Sequence, residues 1–133
     1  MEKSLRIGIL HYSCPPVVGG VEEMLHQHAL ILHRMGQSVC ILAGMGEVFT
    51  DVFPVRIESV LGSRHTQVGK AHDQSRKGDY GLLKKLTNRI LKLLVDWSCN
   101  LDVIVAHNVL QMPFNLPLTL PCAALQTQTM TPQ

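Results

Sequence analysis

A proline- and glycine-rich turn stands between an apolar run and an amphipathic segment near the start of the chain. The turn, SCPPVVGG, covers Ser13–Gly20, and a helix-like pattern begins at Val21. A helix N-terminus presents free N–H groups and partial positive charge, and glycine lets a phosphate or a sugar approach the backbone without meeting a Cβ. Gly19 and Gly20 are therefore candidate substrate-binding residues. A second interpretation, that they only supply the backbone conformations of a turn, stays open.

The turn matches neither of the common phosphate-binding fingerprints. GxGxxG and GxxxxGK[ST] are both missing, and the second apolar run ends in Ala43–Met45 without an acidic residue for a ribose. Glu22 and Glu23 place negative charge in the first helical turn, which argues against a bare anion site and equally suits the helix dipole. The sequence therefore does not indicate a dinucleotide or a P-loop nucleotide.

His107 is the second residue that could do chemistry. It follows the β-branched run DVIVA and is followed by Asn108, which we include as a candidate substrate-binding residue. A neutral imidazole can donate or accept a hydrogen bond at a reacting centre, although a histidine with a purely structural role fits the same pattern. Ligands of open parallel sheets bind at the carboxyl ends of the strands. We therefore expect His107 and the glycine turn to share one sheet edge.

The elements that must position these residues begin with a βαβ unit. Leu5–Tyr12 is nearly continuous in hydrophobicity, as in a strand that is covered on both faces. Val21–Met35 has apolar residues at helical spacing and is followed by Gly36, a typical helix end. Ser38–Gly44 is a second strand, so the crossover should be right-handed.

The rest of the chain gives a less regular pattern. It predicts a loop over Met45–Phe53, a weak strand over Pro54–Val60 and a mobile loop over Leu61–Tyr80. A helix over Gly81–Cys99 and a strand over Asp102–Ala106 follow. The segment Met112–Leu125 could be helical, although Pro121 makes its start uncertain, and residues 126–133 are predicted to be a disordered tail. Alternating strands and helices predict an α/β fold, a Rossmann-like parallel sheet flanked by helices. Four strands are recognisable, whereas such sheets commonly have roughly five or six, so the domain looks incomplete.

Composition narrows the class of protein. The chain has 133 residues, 46% hydrophobic and 17% charged, and a net charge of +2. This length suits one domain, and the weak charge predicts no nucleic-acid partner. No apolar run reaches the roughly 18 residues of a membrane span, and no secretory signal is recognisable. Four scattered cysteines without CxxC spacing favour a reduced, cytoplasmic protein.

Two further features of the sequence each have a simpler explanation. The predicted helix Gly81–Cys99 has a basic face of Lys84, Lys85, Arg89 and Lys92, which could contact anionic lipid at the inner face of the membrane but is also the normal solvated face of a surface helix. His26 and His28 are two residues apart and point to different sides of a helix, so no metal site is predicted.

At this point the motifs are recognisable. PPVVGGVEEMLHQHALILHRMGQSVCILAG resembles the opening of retaining GT-B glycosyltransferases of the large group 1 family, with its PP-x-x-GG-x-E turn, long helix and second strand. DVIVAHNVLQMPFNLPLTL is similar to the later strand and histidine-bearing turn of that family. The resemblance covers residues 5–44 and 102–120. It implies that residues 1–125 are part of the amino-terminal, acceptor-side domain, and that the carboxyl-terminal donor-binding domain lies outside this sequence.

The resemblance also implies a reaction. A nucleotide-sugar donor would be held between two Rossmann-like domains, and a sugar or lipid-linked acceptor would bind mainly to the amino-terminal one. Gly19 and Gly20 match the glycine turn near the donor diphosphate, His107 matches the histidine near the transferred sugar, and Glu22 matches a family position. Transfer would retain the anomeric configuration without metal or cofactor, because helix N-termini and basic side chains balance the leaving diphosphate.

Alternatives from other classes remain. This chain alone is expected to be inactive, since the residues that hold most of the donor belong to the second domain. A non-catalytic Rossmann-like module that binds a nucleotide or a partner protein is the alternative function. A fragment without independent function is the third possibility.

Overall fold

The computed structural model describes the backbone of residues 4–130 and the side chains of residues 4–125. The elements follow one another along the chain as β1 (Arg6–Ser13), α1 (Gly20–Arg34), β2 (Ser38–Met45), β3 (Val55–Ile57), a 3-10 turn (Ser59–Leu61), α2 (Thr66–Arg76), α3 (Gly81–Ser98), β4 (Val103–Ala106) and α4 (Leu116–Met130). None of the helices in this described part of the chain is both long and apolar enough to cross a membrane.

The four strands form one parallel sheet in the order β3-β2-β1-β4. Leu10 on β1 is paired with Leu42 on β2 and with Ala106 on β4, so β1 lies in the interior of the sheet. This order corresponds to the first half and switch point of a doubly wound sheet. The predicted α/β, Rossmann-like fold is therefore confirmed.

Apolar side chains alternate between the two faces of the sheet, as the period of a strand requires. Ile9 and Ile41 pack with Leu25 and Ala29 of α1 on one face. Leu10 and Leu42 belong to the core on the other face, which also contains the following side chains from α2, α3 and α4: Val68, Ala71, Leu83, Leu86, Ile90, Leu94 and Leu118. Because β1 and β2 are covered on both faces, their sequences show almost continuous hydrophobicity.

Strand β4 forms where the sequence predicts a strand, but its side chains are not buried. Val103, Ile104 and Val105 are 41%, 41% and 38% exposed. Their β-branched side chains favour a strand, but β4 pairs only with β1 and forms the edge of the described sheet. The apolar residues of β4 therefore indicate strand propensity and not burial.

The loop predicted over Leu61–Tyr80 is wrong for its central part, where α2 forms. Only Val68 and Ala71 of this helix are buried, three residues apart on one face. The His65 side chain accepts a hydrogen bond from the backbone N–H of Gln67 and caps the helix. The apolar face is so narrow that the sequence shows no helical period, and packing against α3 stabilises the helix instead.

Asn115 determines where α4 begins. Its buried amide donates to the carbonyl oxygens of Val60 and Gly62, both at 2.8 Å, and its Oδ1 accepts from the Leu118 N–H. The helix starts just after this cap, and Pro121 lies inside it without ending it. The backbone of α4 continues to Met130, five residues into the predicted tail 126–133, and residues 131–133 lie outside the described part.

Candidate functional site

The glycine turn leads from β1 into α1, as the sequence predicts. Gly19 is the N-cap and Gly20 the first residue of α1. The Gly19 backbone is extended, with φ 174°, so its conformation does not require glycine. A Cβ at Gly19 would overlap the Glu22 carboxylate, whereas one at Gly20 would meet open space. The structure thus gives Gly19 a second role, which is to make room for Glu22.

Glu22 turns back from the first turn of α1 toward the end of β1. Its carboxylate accepts a hydrogen bond from the Ser13 hydroxyl. The same oxygen, Oε1, lies 3.7 Å from Nε2 of His11. The Glu22 side chain is only 13% exposed, so it is enclosed by the turn and does not extend into solvent. The Ser13 hydroxyl donates to a carboxylate and not to an imidazole, so this group is not a nucleophilic triad.

His11 connects the glycine turn to the end of β4. Its ring is buried in β1, and Nδ1 lies 3.0 Å from the carbonyl oxygen of His107. A carbonyl oxygen can only accept, so Nδ1 carries the hydrogen and Nε2 is the nitrogen that faces Glu22. His11 was not predicted as a site residue from the sequence. The available signal was a histidine in an otherwise apolar strand, near the strand's carboxyl end.

His107 lies directly after β4, at the same sheet edge. Its backbone N–H donates to the Leu10 carbonyl at 2.9 Å and continues the pairing of β4 with β1. Its ring centroid lies 6.4 Å from that of His11 and 6.1 Å from that of His28 on α1. Burial lowers the pKa of His107 below its ordinary value of 6.5, and the charges of His11 and His28 lower it further. The ring is therefore held neutral near pH 7.

The ring of His107 is also less accessible than the sequence suggests. Its Nε2 is enclosed by protein and has no hydrogen-bond partner. A buried ring nitrogen without a partner is uncommon, because leaving such a group unpaired costs about 1–3 kcal/mol. A ligand would reach this nitrogen only if the ring turned or its cover moved.

Asn108 shapes the turn that follows His107. It is the one described residue other than glycine with a positive φ, 61°, a conformation that asparagine tolerates better than most side chains. Its carbonyl accepts from the Met112 N–H at 2.8 Å. The structure thus assigns Asn108 a backbone role in the turn.

The site residues predicted from the sequence therefore meet through His11, which was not among them. Glu22 and the His107 backbone both contact His11, and Gly19 gives Glu22 its space. Gly20 contributes only exposed backbone at the start of α1. We call the group His11, Ser13, Glu22, His28 and His107 the histidine edge. Across the described residues, no three His, Cys, Asp or Glu side chains are placed to hold a metal ion.

A separate apolar groove of about 640 Å³ lies along the free side of β4. Its walls include Leu94 and Trp97 of α3, Val103 and Val105 of β4, and Leu125 of α4. These side chains can bury apolar surface but offer little acid–base chemistry. We therefore regard the histidine edge as the candidate site for chemistry and the groove as a candidate contact surface.

Comparison of this chain with models of protein families, with curated proteins and with solved structures finds no match. The glycosyltransferase resemblance accordingly stays a prediction that rests on the sequence motifs.

Proposed function

We propose that this chain is the amino-terminal, acceptor-side part of a retaining glycosyltransferase that moves a sugar from a nucleotide-sugar donor to a sugar or lipid-linked acceptor. The observation that supports the proposal is the junction at His11. It joins Glu22 of the glycine turn to the backbone of His107, although the two motifs are far apart in the sequence. The parallel pairing of β1 and β4 brings both motifs to one sheet edge, as a shared site requires.

The arrangement suits the proposed chemistry in two respects. The exposed backbone at Gly19 and Gly20 opens the N-terminus of α1, where free N–H groups favour a diphosphate. Once its ring turns or its cover moves, a neutral His107 can hydrogen-bond the transferred sugar without adding a competing positive charge. The nucleotide itself would be held mainly by a second domain, as in the family that the sequence resembles, and transfer would need no metal.

A second candidate function is a non-catalytic Rossmann-like module that binds a nucleotide or a partner protein. The apolar groove and the exposed strand β4 favour it, since an apolar edge strand is a common surface for association. In this alternative the histidine edge would only stabilise the sheet.

The test is a sugar-transfer assay with the full-length protein that contains this sequence, using UDP- and GDP-sugars as donors. We expect His107→Ala to lower turnover about 100-fold or more, because a positioned acid–base or polar group commonly contributes that much. The melting temperature should change little. His33→Ala is the matched control, because His33 is exposed in the last turn of α1, far along the helix from the glycine turn.

Full turnover in the His107→Ala protein would remove His107 from the mechanism. Tight binding of a nucleotide or a partner protein without transfer from any donor would reject the glycosyltransferase and favour the module. The 133-residue chain alone should bind neither nucleotide sugar tightly in calorimetry.

A further inference from the structure

The buried ring of His11 lies between two hydrogen-bond acceptors, one on α1 and one directly after β4. Nδ1–H points at the His107 carbonyl oxygen, 3.0 Å away, and Nε2 faces Glu22 Oε1 at 3.7 Å. His11 is 5% exposed, so water does not replace either contact. A buried polar side chain with partners at both ends is held in one orientation.

We propose that His11 is a positioning residue for His107, which holds the backbone of the turn after β4 and sets the charge beside the His107 ring. The carbonyl that His11 binds belongs to His107 itself, whose N–H is bound to Leu10. The peptide groups on both sides of His107 are thus tied to β1. The imidazole of His107 cannot shift along the sheet edge without breaking one of these bonds.

The second part of the role is electrostatic. The His11 ring lies 6.4 Å from the His107 ring, centroid to centroid, so positive charge on His11 opposes positive charge on His107. Burial lowers the pKa of His107 most, and His11 and His28 lower it further. The titratable groups that face His107 are His11 from β1 and His28 from α1, with Glu22 beyond His11.

Two substitutions of His11 separate its hydrogen bond to the His107 carbonyl from its charge beside the His107 ring. His11→Asn places an amide N–H near the former Nδ1 and keeps a donor for the His107 carbonyl, but it carries no charge. His11→Leu removes both the donor and the charge. His28→Gln removes a neighbouring charge without touching that carbonyl, and His33→Gln is the remote control.

The first readout uses the chain itself and does not depend on the proposed function. In NMR titrations of the His107 ring protons, we expect the pKa of His107 to rise in His11→Asn, His11→Leu and His28→Gln, and to stay unchanged in His33→Gln. Amide exchange at His107 should become about tenfold faster in His11→Leu only. His11→Asn keeps a donor for the His107 carbonyl, so it carries the electrostatic test even if His11→Leu does not fold. An unchanged His107 pKa in His11→Asn would overturn the electrostatic part, and unchanged exchange in a folded His11→Leu protein would overturn the positioning part.

The catalytic consequence rests on the proposed function and is measured in the full-length protein. The acid limb of the rate-against-pH profile should move to higher pH in His11→Asn, because His107 would then lose its neutral form at a higher pH. His11→Leu should also lower turnover at least about tenfold. Altered His107 titration without any sugar transfer would reject the glycosyltransferase and leave the electrostatic role of His11 standing. Transfer with a pH profile that His11→Asn does not move would reject that electrostatic role and leave the glycosyltransferase.

Discussion

Glu22 is the side chain that couples the glycine turn to the sheet. It accepts from Ser13 and faces His11, and it can do so because Gly19 has no Cβ in the space of its carboxylate. The neighbouring Gly20 has open space around it. Two adjacent glycines therefore have different physical reasons to be present.

This difference predicts the effect of adding one methyl group at each position. Gly19→Ala should displace the Glu22 carboxylate and lower the free energy of unfolding by about 1.5–3 kcal/mol, the size of a hydrogen bond to a charged group. Gly20→Ala is the matched control and should be neutral or slightly stabilising, because alanine favours a helix. Urea unfolding measures both. Equal effects of the two substitutions would mean that Glu22 is not held by the turn.

At the scale of elements, α2 and α4 depend on each other through His72. Its Nε2 accepts a hydrogen bond from the backbone N–H of Leu116, the first residue of α4, at 3.0 Å. Burial lowers the pKa of His72 below its ordinary value of 6.5, and the charge of Arg76 lowers it further. Protonation would replace the acceptor with a donor and leave the start of α4 without this bond.

The sign of the pH dependence follows from this contact. Because the folded state has the lower pKa, the unfolded chain binds more protons below about pH 6.5. The stability contributed by neutral His72 is thus present above that pH and is lost as pH falls through its lowered folded pKa. His107, whose pKa is also lowered, acts in the same direction.

Urea unfolding at about pH 7.5, 6.5 and 5.5 should show declining stability, with a shallower decline in His72→Gln. His33→Gln should keep the original slope, and an equally steep decline in His72→Gln would contradict the prediction.

At the scale of the whole molecule, the free side of β4 is the exposed apolar feature that stands out. Three consecutive β-branched side chains border the groove, and edge strands of this kind pair readily with other chains. Chain association is therefore the property that this surface should control.

We expect the 133-residue chain to self-associate with rising concentration through this edge. Ile104→Lys should shift it toward monomer, because a charge on an edge strand opposes further pairing. The melting temperature should fall by no more than about 5 °C, because the position is already partly exposed. Size-exclusion chromatography with light scattering measures the effect, and Val95→Lys on α3, an exposed apolar position outside β4, is the control. A monomeric unsubstituted chain at all concentrations would refute the prediction.

The sequence by itself determined the elements whose signal is local. The apolar runs of β1 and β2, the helical spacing of α1 and α3, and the turn between β1 and α1 all follow from neighbouring residues, which is why the fold class could be predicted. Where packing provided the stability instead, prediction failed: helix α2, which was predicted as a loop, has only two buried residues. Strand β4 was predicted correctly from its β-branched run, although its side chains are partly exposed.

Only the tertiary structure decided which side chains meet at the candidate site. The parallel order of β1 and β4 brings the His107 carbonyl to His11, and the entry of α1 beside β1 brings Glu22 to the other side of the same ring. No spacing in the sequence encodes these contacts, because they depend on sheet order and register between segments far apart in the chain. The sequence predicted the glycine turn and His107 as parts of the site. His11, which joins them, could be identified only from the pairing of the strands.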